Sequence, residues 1–337
     1  MLHLKMLFFI IFLYSCSISD MVSAQECIVP GDVYAEISDC VLSCRYSDAE
    51  KVLDRFITAY PDEPAGYLLK AAVLQYECTD YEDFSRGNEF FELIENAEEY
   101  SRKKIAANDN DLWASYFLSA AESLKGVWSV ACGRFIVGLV QGRSGAKKML
   151  DIVSVDSTFY DAYLMLGSYR FWKSVALSRL PFIDTDRTDA IADVKMAVKR
   201  GKLTGTLSHT VLIEMLLDDD PALAIKIGRE MIEAYPLCRL FAWQLGEAYK
   251  KTERFDDAVR VFTNIADSMS RDEWDDGSGE LRCWWKLAVL SKSVGKKEEC
   301  LYYCKKVVLI GETETVKQRQ RKRIDSALQL IEEIGNE

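Results

Sequence analysis

Between Gly205 and Ala266 the apolar positions fall into helical stripes joined by tight turns, twice over. Leu245 and Tyr249 lie four apart and share one helix face. Gly246 is small enough to let a partner helix approach. Phe255, Ala258 and Phe262 then follow at i, i+3 and i+7 of a second helix. With Arg239 as the first position, the preceding unit begins 34 residues earlier, at Gly205. It places Ala224 at the small position of its second helix and closes at Pro236. The pattern restarts at Leu281, with Trp284, Leu287, Ala288, Gly295, Cys300 and Cys304 at matching offsets. The extra residues from Arg271 to Gly279 read as a lengthened loop. Each hairpin carries an apolar stripe too wide to cover alone, so neighbours must stack.

This spacing resembles the tetratricopeptide repeat (TPR), a helical hairpin of about 34 residues. The resemblance implies an all-α fold, a right-handed superhelix of antiparallel helical hairpins. The clearest units are 205–238, 239–272 and 281–311. A terminal helix over 313–334, with Ile324, Ala327, Leu328 and Ile331 inward, caps the stack. TPR units line a concave groove with first-helix positions two, five, nine and twelve. Carried onto this register, those positions are His209 and Ile213; then Leu240, Trp243, Glu247 and Lys250; then Arg282, Trp285, Val289 and Lys292. Trp243 and Trp285 occupy equivalent places in neighbouring units, where they serve either a peptide-binding strip or packing against the next helix.

Upstream the same reading continues in looser form. A helix is expected over Val33–Cys44, then Ala49–Tyr60 with Asp48 as its N-cap. Tyr67–Tyr76 follows, and then one long charged helix over Asp80–Lys104. Leu112–Lys125 carries Trp113, Tyr116 and Phe117 inward. Gly126–Lys148 is glycine-rich and apolar. It is no phosphate loop, because Lys147 is followed by Lys148 rather than Ser or Thr; its glycines fit close helix packing. Tyr163, Leu166 and Gly167 return to the repeat offsets. Leu177–Asp186, with Pro181 and Phe182, reads as a packed loop before a helix over Asp189–Arg200. The order of these features, with Tyr235-Pro236 ahead of the best hairpin and Cys283–Ala288 opening the last, also resembles the eukaryotic family of tetratricopeptide repeat protein 39 and the inclusion-body-clearance protein Iml. That similarity implies a non-enzymatic interaction protein. Its intracellular roles do not carry over to a chain with an export signal.

Such a signal is expected at residues 1–24. Lys5 supplies the charged start, Leu7–Tyr14 the apolar run, and Val22-Ser23-Ala24 the small-residue cleavage site. The run is too short to span a bilayer. Leu13-Tyr14-Ser15-Cys16 offers a second reading, a lipid anchor at Cys16. Both readings place the protein outside the cytoplasm, in the periplasm or cell envelope.

Charge and chemistry narrow the function. The 337 residues carry 42 Lys and Arg against 53 Asp and Glu, a net charge of −11, which disfavours nucleic acid. Ten cysteines read first as buried small apolar residues, second as disulfides, and last as metal ligands. His3 and His209 are the only histidines, too few for zinc. No Gly-x-Ser-x-Gly elbow or His-Glu-x-x-His pair occurs. Trp274 and Cys283 spoil a calcium loop over Asp272–Cys283. The expectation is therefore no enzyme, no cofactor and no metal. An exported scaffold or adaptor holds a protein or peptide through His209, Trp243, Glu247, Lys250, Arg282, Trp285 and Lys292. The alternative is a receptor for a small apolar or lipidic ligand near the glycine-rich centre, under Phe171, Trp172 and Phe182.

Overall fold

The computed structural model describes residues 29–178 and 187–336. The expected signal segment with Cys16, as well as Cys27, Pro181 and Phe182, lies outside them. Fifteen helices and no strand occur among the described residues. They are α1 (Gly31–Leu42), α2 (Tyr46–Ala59), α3 (Pro64–Tyr81), α4 (Gly87–Ala107), α5 (Leu112–Ala131), α6 (Phe135–Val155), α7 (Ala162–Leu177), α8 (Thr188–Arg200), α9 (Ser208–Asp219), α10 (Pro221–Ala234), α11 (Arg239–Lys251), α12 (Phe255–Met269), α13 (Ser278–Ser293), α14 (Lys297–Ile310) and α15 (Glu314–Gly335). Each helix packs on the next in sequence. First helices also touch across the stack, α3 on α5 and α9 on α11, and α15 closes it against α13 and α14. The architecture is an all-α solenoid.

Local chemistry sets the hairpin turns. Cys44, Gly133, Glu253 and Gly295 each lie two residues past a helix end, and all four adopt the left-handed conformation. This reverses the chain into the second helix. Pro64 and Pro221 open α3 and α10, where a missing N–H costs nothing. Asp111 and Asp220 cap α5 and α10 by accepting the amides of Ala114 and Leu223.

Several expected boundaries differ, two of them for a reason visible in the charges. α2 begins at Tyr46, and Asp48 sits inside its first turn, paired with Arg45 and Lys51 instead of capping. The charged stretch from Asp80 is not one helix. α3 runs on to Tyr81, Glu82 turns left-handed with φ 53°, and α4 starts only at Gly87. Arg86, gripped by Glu50, Glu77 and Glu89, pins that break.

The glycine-rich segment is the α5–α6 hairpin, and its glycines are contact points between two backbones. A Cβ on Gly126 would stand 2.7 Å from the Gly138 carbonyl oxygen and 3.0 Å from the Gly142 amide. One on Gly145 would stand 2.5 Å from the Ser119 carbonyl oxygen. Gly126→Leu is expected to force the helices apart at a cost of ~1–3 kcal/mol, the range for overpacking, seen as a lower urea midpoint. An unchanged midpoint would mean the hairpin is looser than this contact implies.

The solenoid curls until its two ends meet. One core cluster joins Ile37, Val41, Tyr46 and Leu53 to Phe241, Leu245, Phe262, Leu287 and Val307. The eight described cysteines are all free. Cys40, Cys78, Cys238, Cys283, Cys300 and Cys304 are buried, so they act as small apolar fillers.

Candidate functional site

The inner face of the C-terminal units is occupied by the chain itself. The end of α3 lies there, held by three helices. Asp80 has a fully buried side chain and accepts from Arg239 at 2.7 Å and from the Tyr46 hydroxyl at 3.1 Å. Arg239, also buried, reaches Asp272 at 2.8 Å, and the Tyr81 hydroxyl donates to the same carboxylate at 2.8 Å. Arg282 of α13 donates to the carbonyl oxygens of Thr79 and Asp80 at 3.1 and 3.2 Å, and to Glu82 at 3.3 Å. From α15, Arg323 and Gln320 donate to Glu82, and Arg319 pairs with Asp83 at 3.1 Å. The basic turn of the cap is thus a clamp on the first third of the chain.

Burial pushes the Glu82 carboxyl up, but Arg282 and Arg323 outweigh it and hold its pKa below the ordinary value of 4.5. A group with a depressed folded pKa stabilises above its unfolded value and loses that contribution as pH falls through the folded one. Stability is therefore expected to drop as the pH is lowered below about 4.5, and Glu82→Gln is expected to flatten that part of the curve. Urea midpoints measured against pH for both chains check this; parallel curves would show that the clamp does not titrate.

The seven predicted groove residues take different places. Trp243 is half-buried, 5.5 Å from the Phe262 ring and under the Arg282 guanidinium at 3.8 Å. Trp243 and Arg282 are thus drawn into the clamp rather than left open to solvent. Trp285 is half-buried against the core. Lys292 is exposed and pairs with Glu333 of α15 at 3.0 Å. His209 folds its Nδ1 onto the Thr206 carbonyl oxygen at 3.0 Å. Glu247 pairs with Lys286 and with Lys250 at 3.4 Å. These last two predicted residues, Glu247 and Lys250, line an open depression with residues the repeat register did not select.

That depression holds about 570 Å³ and crosses the C-terminal ends of α7, α9 and α11. Phe171, Trp172, Val175, Leu217 and Phe255 give it an apolar floor. Glu214, Asp218, Glu247, Lys250 and Lys251 give it a charged wall. Lys251 pairs with Asp218 at 2.5 Å. Glu214 makes no hydrogen bond or ion pair among the described residues, and burial raises its pKa. The depression therefore presents apolar area beside a part-buried carboxyl group that no cation compensates, with the exposed Glu253 at its edge.

Antiparallel hairpins and the left-handed turn two residues past the first helix recur along one stack, and in the clearest unit the Phe262 ring docks on the helical Gly246. The fold is a TPR-like helical repeat. No family profile matches the sequence, and no curated protein matches it. Among solved structures, the yeast Tom70 crystal structure is similar over 89 % of this chain and 75 % of its own, at 10 % identity and a TM-score of 0.35. The assignment here rests on the hairpin geometry itself.

An apolar cavity of about 220 Å³ lies elsewhere on the inner face. α1 crosses the stack there, and Tyr34, Ile37 and Val41 face Leu69, Tyr116, Leu164 and Val211 from the first helices. Tyr34 anchors α1 by donating to the Leu203 carbonyl oxygen. Asp161 holds that loop by accepting the amides of Lys202, Leu203 and Thr204 at 3.0, 2.8 and 3.0 Å. The cavity is bounded by α1 and the first helices, among them α5 of the glycine-rich hairpin, which contributes Tyr116, Ala120, Leu124 and Val127. Phe171 and Trp172 line the open depression instead.

Among the described residues, no group of three or more His, Cys, Asp or Glu side chains could hold a metal ion. Burial drives the thiols of Cys78, Cys238 and Cys304 to about 12, where no thiolate forms at neutral pH. Asp80, Glu82 and Glu214 were missed from sequence, and Trp172 was named only for the small-ligand reading. Only Trp172 carried a signal, as a large aromatic five residues past the repeat glycine Gly167.

Proposed function

We propose that this chain is a non-catalytic scaffold that binds a protein segment in the depression on α7, α9 and α11. The carrying observation is Glu214, unpaired and part-buried beside Trp172 and Leu217. A desolvated carboxyl next to apolar floor suits a segment with one apolar anchor and a neighbouring Lys or Arg. The self-occupied inner face of α11 and α13 supports the same choice, because there the groove already holds its own chain. The proposal retains export through residues 1–24, to the periplasm or cell envelope, with lipidation at Cys16 as the variant that would add an anchor.

The test is selection of random 12-residue peptides displayed on phage against the purified chain. The reading expects enriched peptides to pair an aromatic or aliphatic residue with Lys or Arg. Trp172→Ala is expected to weaken them by about 30-fold, the size of an interface hot spot of about 2 kcal/mol. Glu214→Lys is expected to reject them. Enriched peptides indifferent to both changes would place binding elsewhere.

The cavity behind α1 favours a second reading, a receptor for a small apolar ligand. A ligand seen by native mass spectrometry and displaced by Leu69→Trp would support it; an empty spectrum from the native host would sink it.

A further inference from the structure

The turn between α5 and α6 carries a surface that the scaffold role does not use. Val127, Val130, Ile136, Val137 and Val140 are all exposed around this turn, Ile136 and Val140 at 68 % and 70 %. Ala131, Cys132, Gly133 and Arg134 between them are exposed as well. The interior does not lack room for apolar side chains by accident here. Gly126, Gly138 and Gly145 face the partner helix, and Ile136 and Val140, on the side of α6 opposite Gly138, point outward.

The charge of this hairpin is opposite to that of the chain. From Ser123 to Leu150 there are five Lys or Arg and no Asp or Glu, in a protein with a net charge of −11. Lys125 pairs with Glu98 and Lys148 with Glu122. Arg134, Arg143 and Lys147 are exposed and make no ion pair among the described residues. On α6, Ile136, Val140, Arg143 and Lys147 follow at i, i+4, i+7 and i+11 and share one face. At 1.5 Å per residue, Arg143 stands about 10 Å and Lys147 about 16 Å behind Ile136. On this face Ile136 and Val140 lead and Arg143 and Lys147 trail at the depth that separates the acyl boundary from lipid headgroups, while Arg134 stands in the turn ahead of them.

We propose that the α5–α6 turn is a membrane-docking tip that inserts Ile136, Val137 and Val140 into the interface of an anionic bilayer, with Arg143 and Lys147 on the headgroup phosphates. No described helix is long and apolar enough to cross a membrane, and the contact proposed for the tip is peripheral. A second protein fits less well. Five side chains at a narrow turn fall short of the roughly 20–30 residues per side of a stable protein interface. An anionic surface also repels the acidic body and attracts the hairpin. The tip acts independently of the binding depression and of any anchor at Cys16.

Cys132 makes the test local. It is the exposed cysteine among those described, whereas burial holds Cys44 at about 11. The full chain, with Cys16 and Cys27 replaced by serine, is labelled at Cys132 with an environment-sensitive dye. It is then mixed with vesicles of phosphatidylcholine alone or with one-third phosphatidylglycerol. The expected result is a blue shift with the anionic vesicles, quenched by lipids brominated near the headgroup and reduced by raised salt. Ile136→Asp with Val140→Asp is expected to abolish the shift, and Arg143→Glu with Lys147→Glu to weaken vesicle affinity at least tenfold. Both pairs are exposed, and an unchanged circular dichroism spectrum confirms folding. A dye that stays in water while the chain sediments with vesicles overturns the proposal. So does a shift that appears without lipid and grows with protein concentration, which would assign the tip to a second copy.

Discussion

Arg239→Ala is expected to destabilise the C-terminal half by ~3–5 kcal/mol, the cost of breaking a buried ion pair from one side. The reason is the state of Asp80. Its side chain is fully buried, its Oδ2 leans on Arg239 and Tyr46, and its Oδ1 has no partner at all. Removing the guanidinium leaves a desolvated carboxylate and releases Asp272 and the Tyr81 hydroxyl. A solenoid opens hairpin by hairpin, so the loss is read best by hydrogen exchange. Amides at the end of α3 and the start of α11 should lose protection together, although 159 residues separate Asp80 from Arg239. A second replacement of Asp80 by Leu should recover part of the loss, because an apolar pair carries no desolvation penalty. If Arg239→Ala cost under about 1 kcal/mol, like a surface pair, the two ends would not be locked.

Phe262→Ala carries an effect of similar size, ~3–5 kcal/mol for a buried ring. Phe262 is fully buried, and its ring lies where a Cβ on Gly246 would stand 2.6 Å away. It also backs the Trp243 ring at 5.5 Å. The pair gives a sharper test than the single change. Gly246→Val alone should overpack, but in the Phe262→Ala background the same methyl groups enter the vacated space. The two changes should therefore be strongly non-additive. Simple addition in a thermal or urea series would contradict the docking of ring on glycine.

The contrast between these two sites explains what the sequence could reveal. Phe262 and Gly246 were readable because their partnership lies within one hairpin and repeats at a fixed offset. The helices from Ser208 to Gly335 follow from the same periodicity. Asp80 was not readable. It looks like the first residue of a charged helix, and only the left-handed turn at Glu82 and partners more than 150 residues away make it a buried hub. The same holds for Arg282, whose register points into a groove that the end of α3 already fills. Glu247 and Lys250 do face open space, yet the aromatic beside them is Trp172 of α7 rather than Trp285. A repeat register tells which side of a helix faces inward; it does not tell where the curl of the stack brings its own chain back onto that side. The glycines of α5 and α6 signalled close packing, but which apolar residues this turned outward depended on the crossing of the two helices.

The central claim is that this solenoid holds a partner in the depression between α7, α9 and α11. A photo-crosslinking residue placed at Leu217 in the native host tests it most directly, with Lys305 on α14 as the exposed control outside that depression. The account predicts one discrete adduct from position 217, none from position 305, and loss of the adduct on Trp172→Ala or Glu214→Lys. No adduct, the same adduct from position 305, or an adduct indifferent to both substitutions would contradict it.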